Sequence, residues 1–188
     1  MEPTIPNLLT IGRVIAAPLV VAAFLTLARP AADWVAFLLF SAAAITDFLD
    51  GWLARKWGQV SGFGRMLDPI ADKAMVIVAG AVIFYTTALD PLVAAPMTAI
   101  LLREVLVSGL REYLKGAEIL SVTTLAKWKT TVQMVAVGAI LLGGALGGGA
   151  VATIGVALLW LAALLTVITG WDYFAKGVAY IRSQEDQG

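Results

Sequence analysis

The 188-residue sequence contains no cysteine and no histidine. Without cysteine the chain has no disulfide and no thiolate nucleophile, and without histidine it has no phosphohistidine intermediate. The two absences together exclude a zinc site built from cysteine and histidine. Any chemistry must therefore use carboxylates, amines, guanidinium groups, hydroxyls and the backbone.

Charged residues are also scarce, at 14% of a sequence that is 60% hydrophobic. The mean hydropathy is +0.89, which indicates an integral membrane protein. Apolar segments of about 20 residues, the length that crosses a bilayer, lie near 5–27, 34–54, 67–88, 91–112, 129–147 and 151–174. We therefore expect an all-α, polytopic integral membrane protein, a bundle of six transmembrane helices that forms a single domain over residues 1–188.

Alanine and glycine are frequent within these segments, as in the stretches SAAAI and IVAGAV. Small residues allow helices to approach closely in lipid, so we interpret nearly all of the glycines as packing positions. The stretch GGALGGGA predicts a short turn between the fifth and sixth helices.

Lysine and arginine are concentrated in alternate connections between the segments. The connection after the second segment contains Arg55, Lys56 and Arg65, whereas Arg29 is the one basic residue in the connections on the other side. The positive-inside rule then places both termini in the cytoplasm. The N-terminal stretch MEPTIPNLL contains Glu2 and no basic n-region, so the first helix is expected to be retained rather than cleaved as a signal.

Four aspartates lie in two pairs at the junction of the second and third segments. Asp47 and Asp50 are three residues apart, and Asp68 and Asp72 are four apart, so each pair shares one helical face. A short turn makes the two helices antiparallel neighbours, which allows the four carboxylates to converge. Converging carboxylates repel one another unless cations lie between them. Oxygen ligands favour hard ions, so the sequence predicts two divalent cations, Mg²⁺ or Mn²⁺.

A purely structural role for these aspartates is the alternative. Asp68 precedes Pro69 and could cap a helix, and Asp47 or Asp50 could pair with Arg55 or Lys56. However, each charged residue at mid-bilayer costs roughly 3 kcal/mol, and such residues are usually functional. We therefore favour a site that binds metal and phosphate, in which a nearby guanidinium suits phosphate.

The pattern D-x2-D-G-x2-A-R-x8-G-x3-D-x3-D is filled by Asp47, Asp50, Gly51, Ala54, Arg55, Gly64, Asp68 and Asp72. It resembles the motif of the CDP-alcohol phosphatidyltransferases at every fixed position. The resemblance implies a six-helix membrane enzyme, usually a homodimer, in which the four aspartates hold two metal ions at the cytoplasmic mouth. It also implies that Asp72 is the general base and that Gly51, Arg55 and Ser61 contact the CDP moiety.

Three further stretches, IPNLLTIGRVIAAPLV, LLREVLVSGLREYL and LAKWKTTVQM, are similar to bacterial phosphatidylglycerophosphate synthases. This resemblance implies transfer of the phosphatidyl group of CDP-diacylglycerol to sn-glycerol 3-phosphate, giving phosphatidylglycerophosphate and CMP. It places Asn7, Thr10 and Arg13 near the nucleotide-lipid. The expected location is the bacterial inner membrane, with the active site facing the cytoplasm, membrane lipid around it and no nucleic-acid partner.

Cationic side chains at the cytoplasmic ends of the fourth and fifth helices suit an acceptor that bears its own phosphate. We expect Arg111 and Lys127 to bind this phosphate. Arg103 either joins them or forms a structural ion pair with Glu104, because charges inside a membrane commonly pair with each other. Positive-inside anchoring is the simpler explanation for Lys115, Lys176 and Arg182.

Other functions remain compatible with parts of the pattern. The same chemistry could use inositol phosphate, serine or a second phosphatidylglycerol as acceptor. A divalent-cation channel or transporter would also place carboxylates in a membrane, although Arg55 would oppose cation passage, and a non-catalytic scaffold is a third alternative. For the enzyme we expect direct attack of the acceptor, because the chain offers no cysteine or histidine as carrier.

Overall fold

The structure, a computed structural model, describes residues 4–57, 61–114 and 124–185, without the side chains of residues 48, 51–55, 65, 124–127 and 185. All regular elements within these residues are helical, which agrees with the all-α expectation. The helices are α1 (Ile5–Thr26), α2 (Ala31–Trp57), α3 (Gly62–Thr86), α4 (Pro91–Tyr113), α5 (Thr124–Ala145) and α6 (Ala150–Glu185).

Each apolar segment of the sequence corresponds to one helix, but some ends differ. α3 begins at Gly62 because the Ser61 hydroxyl caps it and accepts a hydrogen bond from the Gly64 N–H at 2.9 Å. Pro69 therefore lies inside the helix. The alternative in which Asp68 caps a helix that starts at Pro69 is wrong.

Among the described residues, the helices differ in how well their length and composition suit a membrane span. Three helices, α1, α4 and α6, are long and apolar enough to cross a bilayer. The protein is thus an all-helical chain with three candidate membrane spans. Crossing by all six helices remains a proposal.

The first three helices form a layer in which α1 packs against both α2 and α3, whereas α2 and α3 contact each other only slightly. The sequence predicted that α2 and α3 would be direct neighbours. One face of α1 instead lies between the two helices that carry the aspartate pairs. Residues of α1 can therefore reach both pairs.

In the other half of the bundle, α6 packs closely against α5 and also against α4, while α5 also contacts α2. Small side chains are completely buried within the helix bundle, as expected for helices that approach closely. Examples are Ala36, Ala79, Ala136 and Ala162.

The turn between α5 and α6 needs glycine. The φ angles in this turn are +79°, +102° and +82° at Gly147, Gly148 and Gly149. Residues that have a Cβ rarely adopt such positive φ angles. The predicted turn within GGALGGGA is therefore confirmed. Just before it, a Cβ on Gly143 would lie 2.7 Å from the Cα of Ala152 on α6, so the packing role predicted for this glycine is also confirmed.

Gly143→Ala should lower the free energy of unfolding by about 1–3 kcal/mol, because the added methyl group forces α5 and α6 apart. Gly138→Ala in the same helix is the matched control, since a Cβ there meets nothing within 4 Å. This control should be neutral or stabilising by up to about 1 kcal/mol. Unfolding of both variants in detergent micelles measures the difference, and equal stabilities would contradict the packing argument.

Candidate functional site

The four aspartates of the sequence motif surround one guanidinium group. Nη1 of Arg13 contacts Asp47 at 2.5 Å and also contacts Asp72, while Nη2 lies 2.7 Å from Asp50 and 3.3 Å from Asp68. We call the four aspartates the acidic cluster. The convergence of the two pairs is confirmed, and its centre is a residue of α1.

Burial differs across the acidic cluster. The side chains of Arg13 and Asp50 are 3% and 5% exposed, so this ion pair lies inside the helix bundle. Those of Asp47, Asp68 and Asp72 are 46%, 45% and 50% exposed. The cluster therefore has a buried floor and an open side, from which a ligand can reach three of its four carboxylates.

Two other α1 residues line the same face, each three residues from the next. The Thr10 hydroxyl donates a hydrogen bond of 2.7 Å to the Asp68 carboxylate. The side-chain amide oxygen of Asn7 accepts a hydrogen bond from the Ser61 hydroxyl at 2.8 Å. A Cβ on Gly64 would lie 2.9 Å from the Asn7 oxygen. The motif glycine thus allows α3 to begin close against α1.

The donor set of the acidic cluster suits the divalent cations predicted from the sequence. It provides only carboxylate oxygens, which Mg²⁺ and Mn²⁺ prefer, and a cationic group already lies between them. Within the described residues no three acidic side chains are spaced to ligate one ion, because here they surround a guanidinium, which is broader than a metal ion. Four negative charges around the single positive charge of Arg13 leave an excess that cations would balance.

For three of the predicted site residues, the structure describes the helix but not the surroundings of the residue. Gly51 and Arg55 belong to α2, and Lys127 belongs to α5. Beyond this assignment to a helix, these three residues lie outside the described part of the structure. Their proposed contacts with the CDP moiety and the acceptor stay predictions.

A second cluster of charge lies between α4, α5 and α6. Glu104 accepts a hydrogen bond from Lys129 and a longer one, at 3.2 Å, from Arg103, so the alternative ion pair of Arg103 with Glu104 is present. Lys129 lies within electrostatic range of both Arg103 and Arg111. Three cationic side chains, which we call the basic cluster (Arg103, Arg111 and Lys129), thus lie near one another, and two of them, Arg103 and Lys129, contact the Glu104 carboxylate. Such a group suits a phosphate dianion.

Tyr173 of α6 completes this arrangement and was not predicted from the sequence. Its side chain is buried, with 2% exposed, and its hydroxyl accepts a hydrogen bond from Nη2 of Arg111 at 3.1 Å. The guanidinium carbons of Arg111 and Arg103 lie 5.0 and 5.7 Å from the ring centroid. A lone tyrosine near the end of an apolar helix gives no sequence signal for this role.

The acidic and basic clusters adjoin through α3. Lys73 directly follows Asp72 in the chain and lies close enough to Glu104 to interact with its charge. One end of a small ligand could therefore approach the carboxylates while its other end meets the cations. This arrangement fits a molecule with a hydroxyl at one end and a phosphate at the other.

A cavity of about 700 Å³ lies away from both clusters, between the α1–α2 and α3–α4 turns and the α5–α6 turn. Its charged residue is Arg29, which donates hydrogen bonds of 2.7 and 2.9 Å to the buried Asp33. Because Arg29 and Asp33 neutralise each other, and the four aspartates of the acidic cluster lie elsewhere, the volume of the cavity does not make it the reactive site.

Comparisons with known proteins agree with the geometry. The CDP-alcohol phosphatidyltransferase family model matches residues 3–168. A Cereibacter sphaeroides protein named CDP-diacylglycerol–glycerol-3-phosphate 3-phosphatidyltransferase is 46% identical over 98% of this chain and 100% of its own length. Proteins of the same name from Rickettsia bellii and Haemophilus influenzae are 44% and 39% identical, over 93% and 94% of this chain and 95% and 96% of their own lengths. The chain belongs to the CDP-alcohol phosphatidyltransferase family.

Proposed function

We propose that the chain transfers the phosphatidyl group of CDP-diacylglycerol to sn-glycerol 3-phosphate, giving phosphatidylglycerophosphate and CMP. Family membership and the names of the relatives support this reaction. The observation that carries it is the pairing of an open acidic cluster with a basic cluster across α3. The first suits a nucleotide pyrophosphate with its cations, and the second suits an acceptor that carries its own phosphate.

The acidic cluster is the proposed donor site. Asp47, Asp50, Asp68 and Asp72 would hold two divalent cations, which when bound neutralise negative charge on the pyrophosphate and on the leaving CMP. Gly51 and Arg55 would contact the CDP moiety, with Ser61 as a further contact. Ser61 also has a structural role, because it caps α3 and donates to Asn7.

The α1 residues have a supporting role in this proposal. Arg13 holds the carboxylates of α2 and α3 together, and Thr10 orients Asp68. Asn7 fixes the start of α3 through Ser61. These contacts bring the donor site together, whereas the sequence resemblance placed Asn7, Thr10 and Arg13 against the nucleotide-lipid itself.

The basic cluster is the proposed acceptor site. Arg111, with Arg103 and Lys127, would bind the phosphate of glycerol 3-phosphate, and Lys129 is added because it lies within electrostatic range of both arginines. When the phosphate binds there, the other end of the acceptor points toward α3, where Lys73 directly follows Asp72. The orientation brings the C1 hydroxyl to the acidic cluster.

Transfer then proceeds by direct attack. Asp72 accepts the proton of the C1 hydroxyl, the hydroxyl oxygen bonds to the β-phosphorus of the donor, and the bond from that phosphorus to the CMP oxygen breaks. The half-exposed Asp72 carboxylate can meet a substrate from the open side of the cluster. No covalent carrier is needed, and the other aspartates remain available to the cations.

The proposed function also includes a membrane topology and an oligomeric state. We propose one domain over residues 1–188 whose six helices all cross the bacterial inner membrane, with both termini and the active site on the cytoplasmic side. The three candidate spans and the distribution of basic residues support this topology. A homodimer is proposed from the family alone.

The position of Arg13 argues against the cation-transporter alternative. The buried guanidinium places a fixed positive charge on the inner side of the acidic cluster, which opposes the passage of a cation onward through the helix bundle. The basic cluster favours a phosphorylated acceptor over serine. Inositol phosphate shares that phosphate, so the acceptor must be decided by experiment.

The purified protein should convert labelled CDP-diacylglycerol and glycerol 3-phosphate to phosphatidylglycerophosphate in the presence of Mg²⁺ or Mn²⁺. Glycerol, serine and inositol phosphate are offered separately under the same conditions. Glycerol should react at least about a hundredfold less efficiently, because it leaves the cations of the acceptor site unpaired. Lipid products are separated and quantified for each acceptor.

Failure to form product from glycerol 3-phosphate, with product from another acceptor, would overturn the choice of substrate but not the transfer chemistry. The kinetic order is a separate check, because direct attack requires both substrates to be bound together. Ping-pong kinetics with a trapped phosphatidyl-enzyme would contradict it.

A further inference from the structure

Tyr173 lies between two arginines that the helix backbone separates. Arg103 and Arg111 are eight residues apart on α4, or about 12 Å along the helix axis. Both guanidinium carbons nevertheless lie within 5.7 Å of the centroid of one buried ring. The two side chains therefore converge on α6 from different turns of α4.

The contacts of the two arginines with this ring differ. Arg111 lies over the ring and also donates to its hydroxyl, so the tyrosine binds it in two ways. Arg103 meets the ring and the Glu104 carboxylate, while its Nε is buried and has no hydrogen-bond partner. A buried donor without a partner costs free energy, and an anionic ligand could accept this hydrogen bond.

The backbone of α6 is shaped for the same contact. Gly170 lies three residues before Tyr173, and a Cβ there would lie 2.9 Å from Cγ of Arg103. The glycine gives Arg103 room to pass α6 and reach the ring. Two positions of α6 thus determine where the guanidinium of Arg103 lies, although neither carries a charge.

We propose that Tyr173 is a positioning residue that holds Arg103 and Arg111 together as one binding site for the phosphomonoester of the acceptor. This inference rests on the proposed function, because it names the groups that orient the acceptor in the same site. The ring fixes both guanidinium groups by cation–π contact, and the hydroxyl fixes the rotation of Arg111. Pre-positioned arginines lose less freedom when they bind phosphate.

The test compares Tyr173→Phe, which keeps the ring, with Tyr173→Leu, which removes ring and hydroxyl. The KM for glycerol 3-phosphate should rise about three- to tenfold in the first and about thirtyfold or more in the second. The KM for CDP-diacylglycerol should change less than twofold in both. Phe174→Leu is the matched control, because this neighbouring aromatic side chain is 53% exposed and outside the cluster.

Gly170→Ala reaches the same arginine without changing the tyrosine, and it should also raise the KM for glycerol 3-phosphate selectively. Equal changes for both substrates, or no change in any variant, would overturn the positioning role. If Tyr173→Leu does not fold, Tyr173→Phe and Gly170→Ala decide the result. Inactivity of the unmodified enzyme with glycerol 3-phosphate would instead count against the proposed function.

Discussion

Replacing Asp72 by Asn is expected to reduce phosphatidyl transfer by about 10² to 10⁴-fold, the usual contribution of a general base. The amide has nearly the same shape but cannot accept the proton of the attacking hydroxyl. It is also a weaker ligand for a hard cation. The fold should persist, because Arg13 keeps three other carboxylate partners.

Asp172→Asn on α6 provides the matched control. This aspartate is also half-exposed and pairs with Lys176 four residues later at 2.7 Å, but it lies outside the acidic cluster. Its replacement should change the rate less than twofold, because exposed ion pairs contribute little. Initial rates and thermal unfolding are measured for both variants in the same detergent, and an Asp72→Asn enzyme with near-normal turnover would refute the assignment of the base.

The acidic cluster could be predicted from the sequence because its spacing is local. Asp47 with Asp50, and Asp68 with Asp72, share a helical face whatever the rest of the chain does. Their convergence needed only that two helices joined by a short turn lie antiparallel. The helices themselves were predictable from apolar segments, since each segment corresponds to one helix.

The partners of these residues could not be predicted because they come from distant parts of the chain. Arg13 precedes Asp72 by 59 residues, and its place in the cluster depends on α1 packing between α2 and α3. Tyr173 follows Arg111 by 62 residues and depends on the packing of α6 against α4. Helix periodicity identifies which residues share a face, but it does not determine which face meets which neighbour.

The contacts of Arg13 also define its energetic role. Its guanidinium is the cation that the structure places between four carboxylates, and the Arg13–Asp50 pair is buried. Removing one partner of a buried ion pair leaves an uncompensated charge and typically costs about 3–5 kcal/mol. Lysine preserves the charge but not the two nitrogen atoms that divide the carboxylates into pairs.

Arg13→Met should therefore lower the free energy of unfolding by about 3–5 kcal/mol in EDTA, with Arg13→Lys intermediate. Divalent cations should stabilise Arg13→Met more than the unmodified protein, since in the variant they alone offset repulsion among the four carboxylates. Thermal unfolding in detergent, with EDTA and with Mg²⁺, measures both effects. Arg182→Met, at the exposed end of α6, should unfold like the unmodified protein in either condition. Equal stabilisation of Arg13→Met and the unmodified protein by Mg²⁺ would contradict the claim that Arg13 and the cations offset the same carboxylate repulsion.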